Sequence, residues 1–216
     1  MRKLLPVLIM LLPAVADIQG ATVCFEKHVE TANGPRTWSY ELGVAMITSN
    51  SIEDFVGFGD AVSRASGPGG GEIFTVTASR RLGQLVWNVG GHTFTPQIEL
   101  PFTMEVVNEN TGSNFPAFAC SINVRWIDFP WNDYVKTTFS MGLGLNYSEQ
   151  IYQIDEIRHP GEDRSHLKFN WPIQMTFSLP DRPDDQLMIY IIHHSGGETF
   201  DHGGMNALGV GYRRDF

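Results

Sequence analysis

The feature that most constrains this chain is a period of two that returns, segment after segment, from residue 38 to the last. Over 135–147 one face reads Val135, Thr137, Phe139, Met141, Leu143, Leu145, Tyr147, and the other Lys136, Thr138, Ser140, Gly142, Gly144, Asn146. Successive side chains of a strand point to opposite faces, so such a strand sets an apolar face against a small, polar one. Segment 167–179 repeats the pattern, with Leu167, Phe169, Trp171, Ile173, Met175, Phe177 and Leu179 alternating with Lys168, Asn170, Pro172, Gln174, Thr176 and Ser178. Segments 98–106 and 38–46 follow it, and 74–82, 118–126 and 208–216 do so more weakly; 187–192 is apolar on both faces and reveals no orientation. Eight segments of about 9–11 residues match the even strand number and tilted span of an outer-membrane barrel. The expected fold class is therefore all-β: an eight-stranded antiparallel transmembrane β-barrel. Pro172 cannot donate to a ladder and is expected to mark a bulge.

A soluble barrel of the lipocalin type shares the period but turns its apolar face inward. The polar face here carries Glu41, Glu99, Glu105, Arg125, Lys136, Lys168 and Arg213. Mixed charges pair inside a narrow, filled barrel, whereas a ligand cavity wants an apolar lining. That favours the membrane form, and eight strands leave no open pore.

The N-terminus points the same way. Arg2 and Lys3 precede an apolar run over 4–15, followed by Ala14-Val15-Ala16. A charged start, a short apolar stretch and an A-x-A site are the signature of a cleaved export signal, and the run is too short for a spanning helix. The expected organisation is a signal peptide over 1–20 and an outer-membrane barrel domain over 21–216. With an N-terminal start in the periplasm, 49–71, 108–116, 148–165 and 195–204 become outer loops, and 83–96, 128–133 and 180–186 periplasmic turns. The 83–96 connection is long for that role. Trp126, Phe129, Trp131 and Tyr134 fall at one turn, where an interfacial aromatic girdle belongs. Cys24 and Cys120 then lie at opposite ends, so no bridge between them is expected. The chain ends on Phe216 with Tyr212, Val210 and Leu208 on its face, a pattern like the sorting signal read by the barrel-assembly machinery. A net charge of −9 argues against nucleic acid as a partner.

Chemistry concentrates at the top of the seventh strand, in Ile191-Ile192-His193-His194-Ser195-Gly196-Gly197. His193 and Ser195 share a face and His194 takes the other. An imidazole beside a hydroxyl is the minimum for a base-activated serine. If Ile191, Ile189 and Leu187 face lipid, the pair sits on the outer wall at head-group level. Counting the eighth strand back from Phe216 through Tyr212, Val210 and Leu208 brings Asn206 beside His193, where an amide can hold the ring. Gly196 and Gly197 offer backbone N–H groups to an oxyanion. His202 with Asp201 provides too few ligands for a metal. His159, His166, Glu156, Glu162 and Asp163 read as a solvated acidic loop that could hold divalent cations.

With that H-x-S, the glycine loop and a short last strand ending in an aromatic, the chain resembles the outer-membrane lipid A deacylases and their acyloxyacyl-hydrolase-like relatives. The architecture matches over the whole exported chain; the specific part is about the last 25 residues. The resemblance implies a His-Ser-acid site facing the membrane, hydrolysis of an ester-linked acyl chain of lipid A, Ser195 as nucleophile and His193 as general base, with no cofactor. The family places Asn directly after the serine, where this chain has Gly196. It places its acid on the eighth strand about a dozen residues on, where this chain offers Met205, Asn206 and Ala207. Glu198 or Asp201 are the alternative acids. The rival expectation is a non-enzymatic barrel for adhesion, packing or assembly.

Overall fold

A computed structural model describes residues 22–25, 37–57, 61–89, 92–112 and 114–216. The expected signal peptide over 1–20 lies outside the described residues. Strands run in chain order as β1 (Thr22–Phe25), β2 (Trp38–Thr48), β3 (Gly71–Val89), β4 (His92–Phe94), β5 (Gln97–Glu109), β6 (Phe115–Trp126), β7 (Lys136–Ser148), β8 (Leu167–Asn170), β9 (Ile173–Leu179), β10 (Arg182–Ser195) and β11 (Gly204–Asp215), with short helices α1 (Ile52–Gly57) and α2 (Gln153–Arg158).

Eight antiparallel barrel strands close on themselves: β2, β3, β5, β6, β7, the pair β8/β9, β10 and β11, which returns to β2. The last and first barrel strands are pinned at one end by Phe216 N–H to Trp38 O (2.9 Å) and Trp38 N–H to Phe216 O (3.2 Å). Closure pairs the backbone groups that a bilayer would not solvate.

Two expectations are corrected. Pro172 makes a gap, not a bulge. Gly144 pairs with Asn170 and Met141 with Ile173, so the register is the same on both sides and no residue is inserted. The missing proline donor simply interrupts the ladder, while Gly142 N–H still reaches Pro172 O (3.1 Å). Segment 83–96 is not a plain turn. β3 continues to Val89, takes β1 along Gly83–Val86 and folds back on β4, so its excess length is sheet.

The outer face carries Leu42, Phe74, Phe102, Phe118, Ile122, Leu143, Leu187 and Val210, each about half exposed or more. Leaving that much apolar surface in water costs roughly 1 kcal/mol per side chain. Eight of them amount to about a typical domain's whole stability. A hydrocarbon surround removes the cost, and the architecture is that of a transmembrane barrel. Cys120, on the same outer face, is a free thiol.

The inner face is polar and paired. Arg213 donates from Nη1 to Glu41 Oε1 (2.7 Å), from Nη2 to Glu99 Oε1 (2.6 Å) and from Nε to Asp215 Oδ1 (2.9 Å). Arg125 donates to Glu99 Oε2 (3.0 Å) and Thr138 Oγ1 (2.8 Å), and Gln174 Nε2 to Glu41 Oε2 (2.9 Å). Two buried glutamates thus meet two buried arginines. Toward the other end an apolar cluster including Ile47, Ile73, Val107 and Phe115 is closed over by α2, whose flanking Tyr152 packs edge-on to Phe115 at 5.6 Å.

Arg213→Ala would strand Glu41 and Glu99 in the barrel. A loss of about 3–5 kcal/mol is expected, read as a lowered urea midpoint of the protein refolded in lipid vesicles; an unchanged midpoint would mean the glutamates find other partners.

Candidate active site on the outer wall

The register brings two of the residues singled out here together, His193 and Asn206, and sets Ser195 on the same outward face. His193 and Ser195 point outward, and His194 points inward and is fully buried. At about 3.3 Å per residue the two outward Cα atoms stand roughly 6.6 Å apart along the strand, a gap an imidazole ring can bridge. The β10–β11 register places Asn206 directly opposite His193, and His193 Nδ1 lies 2.6 Å from Asn206 Oδ1.

A further hydrogen bond fixes the chemistry of that contact. Asn206 Nδ2 donates to the backbone carbonyl of Asn50 at 2.9 Å, and a carbonyl can only accept. Oδ1 is therefore the atom facing the ring, so Nδ1 must carry the proton. The neutral imidazole keeps its lone pair on Nε2. An amide thereby selects the same tautomer that a carboxylate would. Asn50 had no sequence signal, since it acts through its backbone.

On its other side His193 meets Trp171, ring centroids 5.9 Å apart and edge-on, with Trp171 N–H bonded to His193 O (2.8 Å). Next to Ser195 across the ladder is Phe169, which packs on Phe200 at 5.0 Å. The wall beside the serine is thus aromatic on the β8 side and polar on the β11 side.

The two glycines divide their roles. Gly196 N–H is consumed by Gly203 O (2.8 Å) in closing the β10–β11 turn, so the expectation that it serves an oxyanion is not met. Gly197 N–H points to Ser195 Oγ at 3.2 Å. Gly197 has φ 58°, and a Cβ there would come within 2.8 Å of the Phe169 ring, so glycine is required twice over.

Neither alternative acid replaces Asn206 at the ring. Glu198 is exposed in the loop, and Asp201 turns away to Lys168 Nζ (2.7 Å), Ser165 N–H (2.7 Å) and Gly203 N–H (2.8 Å). Burial alone would raise the Asp201 pKa. The Lys168 hydrogen bond and the two backbone donors outweigh it and hold the carboxyl below its ordinary 3.8. His166 turns its Nδ1 to Ser148 O (2.8 Å) and Glu162 pairs with Arg164. Among the described residues no three His, Cys, Asp or Glu side chains gather to hold a metal.

No family model and no curated protein matches this chain. Solved structures do. The outer membrane enzyme PagL aligns over 82% of this chain and 99% of its own with a TM-score of 0.54 at 12% identity. Neisserial surface protein A covers 91% of this chain and 99% of its own with a TM-score of 0.47 at 14% identity. The Yersinia pestis protein Ail covers 83% and 99% with a TM-score of 0.35 at 15% identity. PagL and Ail are outer-membrane proteins, and at 12% identity the likeness to PagL is one of fold.

A carboxyl held below its ordinary pKa stabilises the fold above that ordinary value and loses the contribution as pH falls through the lower, folded one. The 196–203 turn is expected to keep its amide-exchange protection at Ser165 and Gly203 down to about pH 4 and to lose it below. Asp201→Asn should abolish this acid transition; a transition unmoved by that change would assign it to another group.

Proposed function

We propose that the chain is an outer-membrane ester hydrolase that removes an ester-linked acyl chain from lipid A, with Ser195 as nucleophile, His193 as general base and Asn206 as the residue that orients it. The observation that carries this reading is the Asn50–Asn206–His193 relay, which commits the His193 lone pair to the atom that a serine two residues on can use. A barrel with a purely structural role has no need of that order.

His193 Nε2 takes the Ser195 proton as Oγ attacks the ester carbonyl carbon. Gly197 N–H, which donates to Oγ in the resting site, passes to the ester carbonyl oxygen as Oγ bonds to carbon, and there stabilises the oxyanion. Collapse breaks the ester C–O bond, and the proton on Nε2 passes to the departing sugar- or acyl-borne oxygen. Water, activated by the same imidazole, then hydrolyses the acyl-serine. The neutral Asn206 orients the imidazolium but does not compensate its charge, so turnover is slower than with a carboxylate.

The location of the pair suits a lipid substrate. Ile189 and Ile191 lead up to it on the outer wall, and Phe169, Trp171 and Phe200 flank it, giving an acyl chain an apolar surface while the ester meets Ser195 at head-group level. Delivery to the outer membrane through the assembly machinery, with Phe216 as part of its signal, belongs to the same reading.

Mass spectrometry of lipid A from cells expressing the protein should show loss of one acyl chain. Ser195→Ala and His193→Ala should each lower the rate by at least about 10², and Asn206→Leu by less. Deacylation that survives Ser195→Ala would sink the mechanism. Unchanged lipid A with the wild type in the membrane would favour the non-enzymatic barrel.

A further inference from the structure

On the inward side of the wall, behind Ser195, charges meet that the hydrolytic steps do not use. Lys168 on β8 is fully buried, with Nζ 2.7 Å from Asp201 Oδ2 and 2.8 Å from Asp155 Oδ2. Asp155 comes from α2 and is also fully buried; its Oδ1 accepts Gly204 N–H at 3.0 Å, with Arg164 Nη1 at 3.8 Å. Asp201 comes from the β10–β11 turn itself and accepts Gly203 N–H and Ser165 N–H. The turn is pressed onto these carboxylates. A Cβ at Gly196 would lie 2.0 Å from Asp201 Oδ1, and one at Gly203 would lie 1.9 Å from Asp155 Oδ1.

Stability is a weak reason for such a cluster. Burying each ion costs several kcal/mol before pairing returns any of it, and packed apolar side chains often do as well. Nor does strand pairing need it, because the β10–β11 ladder already runs to Ser195 opposite Gly204. What the cluster does fix is the path of residues 196–204. Its Gly203–Gly204 end is hydrogen-bonded to Asp201 and Asp155 and its Gly196 end packs against Asp201, and between them stands Gly197, in a left-handed conformation against Phe169, with its N–H on Ser195 Oγ.

We propose that Asp155, Lys168 and Asp201 are positioning residues, a buried charge chain from α2 through β8 to the turn that holds the Gly197 N–H beside Ser195 Oγ, within reach of the oxyanion that develops there. This rests on the ester-hydrolase reading. Oxyanion donors act through placement: a donor aimed at the transition-state oxygen is worth about 10²–10³ in kcat, and a turn free to shift loses that without losing the substrate. The substrate touches the outer wall and the charge chain lies inside it, so its removal should spare binding.

The test uses the full-length protein folded in lipid vesicles, as wild type, Asp201→Asn, Lys168→Met and Lys168→Arg, with a micellar acyl ester as substrate. Asp201→Asn and Lys168→Met should lower kcat about 10²-fold with KM within about twofold, and Lys168→Arg should recover most of the rate. Heat-modifiable gel migration shows that each barrel is folded. If Lys168→Met does not fold, Asp201→Asn decides, since it keeps shape and an acceptor while losing the charge. An unchanged kcat in a folded Asp201→Asn, or a loss confined to KM, overturns the proposal. If the wild type neither turns over ester nor reacts at Ser195 with a fluorophosphonate, the hydrolase reading has failed. Amide exchange at Gly197 then decides the positioning separately: faster exchange in Asp201→Asn supports it, and equal exchange overturns it.

Discussion

Everything in this molecule depends on the buried pairing of Glu41 and Glu99 with Arg125 and Arg213. An eight-stranded barrel with an apolar exterior must put its polar residues inside, and the interior is too narrow to hydrate them as bulk water would. Each charge there has to meet its opposite. Once it does, the inner face tolerates charge, the outer face is released to be continuously apolar, and the strands can keep their period of two. The cross-barrel contacts also tie β2, β5, β6 and β11 to one another through side chains, beyond the neighbour-to-neighbour ladder. A rigid wall follows, and the outward residues at its rim inherit that rigidity.

That inheritance explains how a site can be built on the outside of a barrel. His193, Ser195 and Asn206 sit on adjacent strands whose register is fixed by closure, so their spacing is a property of the ladder and not of a mobile loop. The loop contributions enter as backbone atoms, the Asn50 carbonyl and the Gly197 N–H. Backbone groups give fixed direction without a rotamer to choose, which suits tautomer selection and oxyanion contact alike.

What was legible in the sequence is what has a period or a count. Alternation exposed the strands and the faces of all but 187–192, and the distance back from Phe216 brought Asn206 to His193, because in a hairpin opposite residues follow from the turn. Pro172 was legible as a defect but not as its kind, since gap and bulge differ in the partner strand's register. The sheet built on residues 83–96 was hidden because β1 and β4 are too short to show a period. The roles of Tyr152, Asp155 and Asp201 were hidden for another reason. They act across loops far apart in the chain, and nothing local marks an aspartate as the partner of a lysine at a remote inward position. Lys168 itself was visible as an inward charge, and an inward charge with no forecast partner is the signal that could have pointed there.

The amide at position 206 shows how far a substitution can go before an arrangement loses its sense. A carboxylate at that place does two things: it selects the Nδ1–H tautomer and it offsets the charge of the imidazolium. An isolated amide guarantees neither, because it can flip and present its NH₂ group. Here the Asn50 carbonyl removes that freedom by accepting from Nδ2, so the first task is kept and only the second is given up. On the proposed hydrolase reading, the site is ordered for proton abstraction but undercharged for holding the proton afterwards. Such a site leans more heavily on oxyanion stabilisation, the one large term that does not depend on the histidine partner's charge. The buried charges behind Gly197 lie where that demand falls.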